Sequence, residues 1–226
     1  MGDEVTSRAV IIGSAPCESW ENLKRYPTKG AYIIAADGGR VWAERAGLTV
    51  DWYVGDGDSG GFSAGLPSEV LPVEKDVTDL EAAVHHALER NIQHILLWGA
   101  SGGRADHHLA NLQLLEQIAQ RGSQGIFLDA VNEVRYLRPG HYRIPNDPPY
   151  RYLGIIPLDV RLTGVSIRGV KYPLDGATVR RGTTLTVSNE ILPGCAAELT
   201  IGSGAALLVR SVPMERSGRA EKTESF

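Results

Sequence analysis

Thr78-Asp-Leu-Glu-Ala-Ala-Val-His-His-Ala-Leu88 is followed by His94-Ile-Leu-Leu-Trp98 and then by Gly99-Ala-Ser-Gly-Gly-Arg-Ala-Asp106. The first piece reads as a helix. Leu80, Ala83, Val84, Ala87 and Leu88 recur at i, i+3, i+4, i+7 and i+8, one face of a 3.6-residue period. Thr78 and Glu81, three residues apart, form a capping-box pair at its start. The second piece is a short unbroken apolar run, the pattern of a strand covered on both faces of a parallel sheet. Outward from this core the strand type repeats at Ala9-Val-Ile-Ile12, Ala31-Tyr-Ile-Ile-Ala35, Trp52-Tyr-Val54 and Gly125-Ile-Phe-Leu128. A further helix starting near Asp106 carries Leu109, Leu112, Leu114, Leu115 and Ile118, apolar around much of its girth, and is expected to be well buried. Strands alternating with helices predict a layered α/β domain with a mostly parallel sheet over residues 1–145.

Past Ile144-Pro-Asn-Asp-Pro-Pro149, which cannot continue a helix, the character changes. Short strand-like runs recur between Gly and Pro punctuation at Tyr152–Ile156, Val165–Ile167, Thr184–Val187, Ala197–Ile201 and Ala206–Val209. They predict an all-β C-terminal sandwich domain over residues 150–213. Residues 214–226 are polar and read as a flexible tail. Of 226 residues, 42% are hydrophobic, enough for a sizeable core, and the formal net charge of −4 with no basic stripe argues against a nucleic-acid partner. No apolar run approaches the length of a membrane span, and Ala9–Ile12 is too short for a signal-peptide core. Cys17 and Cys195 match no metal spacing or disulfide framework. A soluble, cytoplasmic chain with reduced cysteines is therefore expected.

Acidic residues gather where predicted strands end. Asp37 follows the second strand in Ala36-Asp-Gly-Gly39, Asp56 and Asp58 follow Trp52–Val54 in Gly55-Asp-Gly-Asp-Ser59, and Asp79 opens a helix. Open α/β sheets bind ligands at the carboxyl ends of their strands. Carboxylates collected there suit a hard cation such as Mg²⁺, which shares oxygen ligands with substrate phosphates. Gly38 and Gly39 beside Asp37 allow close backbone approach. Each acid also has a plainer reading: turn chemistry for Asp37, Asp56 and Asp58, and the helix dipole for Asp79. The common placement favours a metal–phosphate site. Gly102 and Gly103, in the loop before a helix, present backbone N–H groups to an anion, and Arg104 adds a bidentate donor. The loop is neither a Walker motif nor a dinucleotide fingerprint. Asp106 is also placed to cap the helix. The adjacent pairs His85-His86 and His107-His108 lack the spacing of a zinc helix. Trp42 and Trp98 read as packing residues.

In order, Ala36-Asp-Gly-Gly39, Gly55-Asp-Gly-Asp-Ser59, Lys75-Asp-Val-Thr-Asp-Leu-Glu81, Gly102-Gly-Arg-Ala-Asp-His107, Leu174-Asp175 and Val187-Ser-Asn-Glu190 resemble the thiamine pyrophosphokinase family. The resemblance implies an α/β domain and a β-sandwich in a homodimer, with thiamine in clefts between subunits. It further implies that Asp56, Asp58 and Asp79 ligate Mg²⁺, with Asp37 supporting them. Lys75, Thr78 and Arg104 would hold the ATP phosphates, Asp106 would lie near the reacting centre, and Ser188 and Asn189 would contact thiamine from the partner subunit. Two positions depart from the family pattern. Gly57 stands where many members carry Phe, and Ile191 where many carry an aromatic. The expected activity is transfer of the diphosphate of ATP to the thiamine hydroxyl. The alternatives are the same transfer to another alcohol, such as a hydroxymethyl pterin, or nucleotide and thiamine binding without catalysis.

Overall fold

The computed structural model of the chain describes residues 7–16, 21–55, 67–70 and 76–213. Asp56, Gly57, Asp58, Lys75 and Cys17, and the expected tail at 214–226, lie outside these. Six strands, β1 (Arg8–Ile12), β2 (Tyr32–Ala36), β3 (Trp52–Gly55), β4 (Ser68–Val70), β5 (His94–Trp98) and β6 (Gln124–Leu128), pair in parallel in the order β6-β5-β1-β2-β3-β4. Helices α1 (Gly39–Arg45), α2 (Asp79–Glu89) and α3 (Ala105–Gln120) cover them. The central strands are buried on both sides, as their apolar runs require. Ala9 and Ile11 of β1 join Ile95 and Leu97 of β5 against α2 and α3. Val10 and Ile12 join Leu96 and Trp98 on the opposite face, against Leu23 and Ala43.

The α3 stripe that meets the sheet is Asn111, Leu114, Leu115 and Ile118, spaced i, i+3, i+4 and i+7. Leu109, expected in the core, lies off that stripe and is 59% exposed. Thr78 is the N-cap of α2 and accepts from the Glu81 N–H at 3.2 Å, while the Glu81 carboxylate accepts from Gln117 of α3 at 3.0 Å. The first turn of α2 is thereby tied to the last turn of α3.

The remaining strands are β7 (Asn132–Leu137), β8 (Gly140–Pro145), β9 (Tyr152–Pro157), β10 (Arg161–Arg168), β11 (Leu174–Arg180), β12 (Asn189–Glu190), β13 (Ala196–Ile201) and β14 (Ala206–Ser211). β7 pairs antiparallel with β6, and β14, β9 and β12 follow it, so one ten-stranded sheet runs through the described chain. β8, β13, β10 and β11 make a second, four-stranded sheet. The two sheets enclose a sandwich core. Leu137, Leu153, Ile155, Ala206 and Leu208 come from one side, and Ile144, Leu162, Val165, Ile167, Val179, Leu199 and Ile201 from the other. The α/β domain followed by a β-sandwich is as the sequence predicts, although β7 and β8, numerically within 1–145, pair with sandwich strands.

Thr184–Val187 is a turn rather than the expected strand. Only Thr186 is buried there, exchanging hydrogen bonds with the Ile155 backbone, while Leu185 and Val187 face outward. No helix among the described residues is long and apolar enough to cross a membrane.

Candidate active site

The parallel strand order reverses at β1. The chain moves from β1 to β2, β3 and β4 on one side, then returns through α2 to β5 on the other. Loops leaving β1 and β5 therefore diverge, and a crevice opens between them at the strand carboxyl ends, the standard ligand position of such sheets. A cleft of about 350 Å³ lies there, bordered by Gly13–Pro16 after β1, Asp37 after β2, Thr78–Leu80 at the start of α2, and Gly99, Ala100 and Gly102–Arg104 with His107 and Asn111.

Its floor is set by backbone-to-backbone contact. The Gly13 N–H donates to the Trp98 carbonyl at 2.8 Å and the Ala15 N–H to that of Gly99 at 2.9 Å. A Cβ on Gly13 would stand 2.6 Å from the Gly99 oxygen, and one on Gly99 2.7 Å from that of Gly13. Both positions need glycine for space. Gly102 and Gly103 need it for conformation instead, at φ 88° and 68° with open space around them. Gly38 and Gly39 serve packing. A Cβ on Gly39 would fall 1.9 Å from the Ile12 oxygen, and one on Gly38 3.3 Å from Ser14 Cβ.

Asp37 is the most unusual acid of the cleft. It holds a left-handed backbone, φ 51°, as its N–H donates to Val54 at 2.8 Å. Its Oδ1 is buried without a hydrogen-bond partner among the described residues. A buried carboxylate oxygen left in this state costs free energy unless something pairs with it. The missing partner on chemical grounds is a cation or a proton donor, and a hard oxygen donor fits Mg²⁺. Asp79, first residue of α2, shares the cleft with it. Among the described residues no three His, Cys, Asp or Glu side chains are grouped to hold a metal. Gly55, where a Cβ would sit 3.3 Å from Asp37 Cα, is the last described residue before Asp56 and Asp58 in the chain.

Arg104, expected to face phosphate, is paired with Asp106 through both guanidinium edges, Nη2–Oδ2 2.6 Å and Nε–Oδ1 3.1 Å, and both side chains are exposed. That bond, with the His107 N–H as a second donor at 2.9 Å, holds the Asp106 carboxyl down at about 2. Arg104 itself occupies the N-cap of α3, and Asp106 sits in the first turn. Of the expected residues, Asp37, Thr78, Asp79, Gly102, Gly103 and Arg104 border the cleft, whereas Asp106, Gly38 and Gly39 do not. The loop 13–16, His107 and Asn111 were not anticipated. A glycine and a proline directly behind the first strand were the available signal.

Asn189 begins β12 at the edge of the long sheet, away from the cleft, and Ser188 directly precedes it. Ser188 is exposed and holds φ 59°. Asn189 is buried, and its amide is spent within the chain. Oδ1 accepts from the Tyr172 and Glu190 N–H groups at 3.0 and 2.9 Å, and Nδ2 donates to the Tyr172 carbonyl at 2.8 Å. Ile191 packs against the sandwich core. Exposed Leu185, Val187 and Leu192 flank this edge in sequence, and exposed Tyr172 is bonded to Asn189.

Residues 23–127 match the family model described as thiamin pyrophosphokinase, catalytic domain, and residues 141–205 that described as thiamin pyrophosphokinase, vitamin B1 binding domain. Thiamine pyrophosphokinase of Bacillus subtilis is 31% identical over 208 residues, 89% of this chain and 97% of that protein. The crystal structure of the B. subtilis enzyme superposes with a TM-score of 0.84 at 29% identity, covering 92% of this chain and all of that one. That of thiamin pyrophosphokinase from Geobacillus thermodenitrificans gives 0.80 at 30% identity, covering 92% and 98%.

Proposed function

The chain belongs to the thiamine pyrophosphokinase family, and from that membership we propose that it transfers the terminal diphosphate of ATP to the hydroxyl of thiamine and releases AMP. The observation that carries the reading onto these residues is the buried, unpartnered Asp37 carboxylate oxygen at a switch-point cleft walled by a glycine-rich loop.

In this reading the phosphates lie along Gly99–Arg104 and the start of α3, where free N–H groups and the positive end of a 16-residue helix favour negative charge. Asp37 and Asp79, with Asp56 and Asp58 from the adjoining segment, would hold Mg²⁺. When bound, that ion would neutralise charge on the diphosphate and on the departing AMP oxygen. Lys75 and Thr78 would contribute further phosphate contacts, and Arg104 would turn from Asp106 to clamp the transferred group. The thiamine oxygen attacks the β-phosphorus in line. The new O–P bond forms, the bond to the α,β-bridging oxygen breaks so that AMP leaves with that oxygen, and the hydroxyl proton passes to Asp106 or to water. Once Arg104 has turned away, the bond that holds the Asp106 carboxyl down is gone, and the freed carboxylate would orient the hydroxyl or accept its proton. Such transfers ask mainly for positioning and charge stabilisation.

The sheet also argues for a second subunit. β12 is five strand spacings from β5 in the ten-stranded order, roughly 24 Å at about 4.8 Å each. That exceeds the length of thiamine. A thiamine resting on Ser188 and the Tyr172 edge braced by Asn189 would therefore meet the nucleotide cleft of another copy, in a homodimer. The test is AMP release from ATP with thiamine, with a hydroxymethyl pterin and with no acceptor, each with and without Mg²⁺. Turnover only with thiamine and Mg²⁺ is expected. Equal turnover with the pterin, or nucleotide binding with no AMP, would overturn the assignment.

A further inference from the structure

We propose that Asn111 is a positioning residue for the nucleotide loop, its side-chain amide fixing Ala100–Gly103 in the shape that turns backbone N–H groups toward the phosphates. The proposal rests on the transferase reading above and adds to it a residue outside every motif that pointed there.

Asn111 occupies the first position of the buried α3 stripe, ahead of Leu114, Leu115 and Ile118. An apolar side chain would fill that place without the desolvation cost of an amide. Instead Asn111, 8% exposed, donates from Nδ2 to the Ala100 carbonyl at 3.0 Å. Among the described residues this is the only hydrogen bond made by the backbone of Ala100 to Gly103. The loop is otherwise anchored only at its start, where Gly99 meets Gly13, and at its end, where α3 begins. Between those points Gly102 and Gly103 are left-handed with open space around them. Two glycines with freedom on every side do not choose one conformation by packing. The bond from Asn111 to a 5%-exposed residue supplies the missing constraint. Without it the Ala100 carbonyl must find water, and the peptide carrying the next N–H groups turns with it.

The test uses the full-length protein with Asn111→Leu and Asn111→Asp. Steady-state AMP release is measured against ATP at saturating thiamine and against thiamine at saturating ATP, with thermal melting as a check on folding. Asn111→Leu should raise the KM for ATP roughly 5- to 30-fold, the effect of orphaning one buried carbonyl, and leave kcat and the KM for thiamine within about twofold. Asn111→Asp should show a comparable rise at about pH 8 that shrinks relative to wild type as the pH falls to about 6, because a protonated acid can donate to Ala100 where a carboxylate cannot. An unchanged KM for ATP, an equal rise in both KM values, or a pH-independent defect in Asn111→Asp would overturn the proposal. If Asn111→Leu does not fold, Asn111→Asp decides alone. Calorimetric binding of a non-hydrolysable ATP analogue separates the two levels. A wild type that makes no AMP sinks the transferase reading, whereas equal analogue binding by wild type and variants sinks the role of Asn111.

Discussion

A methyl group added at Gly13 and one added at Gly102 test different demands. At Gly13 it would stand 2.6 Å from the Gly99 carbonyl oxygen, so one of two backbone segments must move. Overpacking of this kind costs about 1–3 kcal/mol, and here it also spreads the floor of the cleft. At Gly102 nothing lies within 4 Å, and only the left-handed φ of 88° is opposed, for about 1–2 kcal/mol. Gly13→Ala should thus lose most ATP turnover, while Gly102→Ala keeps a larger share at a similar loss of stability. Kinetics beside urea melts would show it, and equal turnover in the two would remove the floor from the argument. Asp37 was legible from its place behind a strand, but its left-handed backbone and orphaned oxygen were not, because the backbone is bonded to Val54 of the neighbouring strand and burial of one side-chain oxygen is a tertiary matter. Asn111 was illegible for the opposite reason. On a helical wheel it reads as a polar interruption, and only the distance to Ala100 gives it a purpose.

At the level of elements, α2 is the part most fully specified by local sequence. Its period, its N-cap and its first-turn acids agree. Thr78→Ala removes the oxygen that receives the Glu81 N–H and should cost about 1 kcal/mol, a fall in Tm of roughly 2–4 °C for a chain of this size. It should weaken ATP as well if the hydroxyl also meets phosphate, and a Ser replacement should restore both. Calorimetry with the Ala and Ser variants checks the stability part; a Tm unchanged in the Ala variant would contradict it. Five of the six strands of the parallel layer were equally readable, since burial on both faces demands unbroken apolar runs; β4, the three residues Ser68-Glu-Val70, was not. Nor was β7. Asn132-Glu-Val-Arg-Tyr-Leu137 carries two charges in six residues, and two of the three partners that let Glu133 be buried, Tyr26 and Arg210, come from distant elements. The opposite error occurred at Thr184–Val187, where strand-like alternation is real but one buried threonine is all that the fold takes from it.

Across the whole molecule, the most concentrated polar chemistry outside the cleft joins the two sheet regions. Glu133 of β7 accepts from Tyr26, from Arg135 at 2.8 Å and from Arg210 of β14 at 3.5 Å. Arg210 also reaches Asp147 at 3.2 Å and lies over the Tyr150 ring, whose hydroxyl donates to Asn22. Burial alone would raise the Glu133 carboxyl. The hydrogen bonds from Arg135 and Tyr26 and the charge of Arg210 outweigh it and hold the carboxyl below its ordinary value. Its folded-state pKa is the lower one, so its stabilisation is complete above the unfolded value and fades as the pH falls through the folded one. Glu133→Gln takes the charge from its bonds with Arg135 and Arg210 and leaves Arg210, 8% exposed, with Asp147 as its acidic partner, and should cost about 1.5–3 kcal/mol at neutral pH. The difference from wild type should narrow in acid; urea melts between about pH 3 and 7 would reveal it, and a gap constant with pH would count against the assignment. The ten-stranded sheet has a further consequence, for the order of assembly. β14 fills the place between β7 and β9, although it is the last strand of the described chain to leave the ribosome. Until residues 206–211 emerge, two unpaired strand edges face each other across an empty lane. A nascent or truncated chain stopping short of that point would carry its aggregation hazard in the middle of the sheet rather than at its rim.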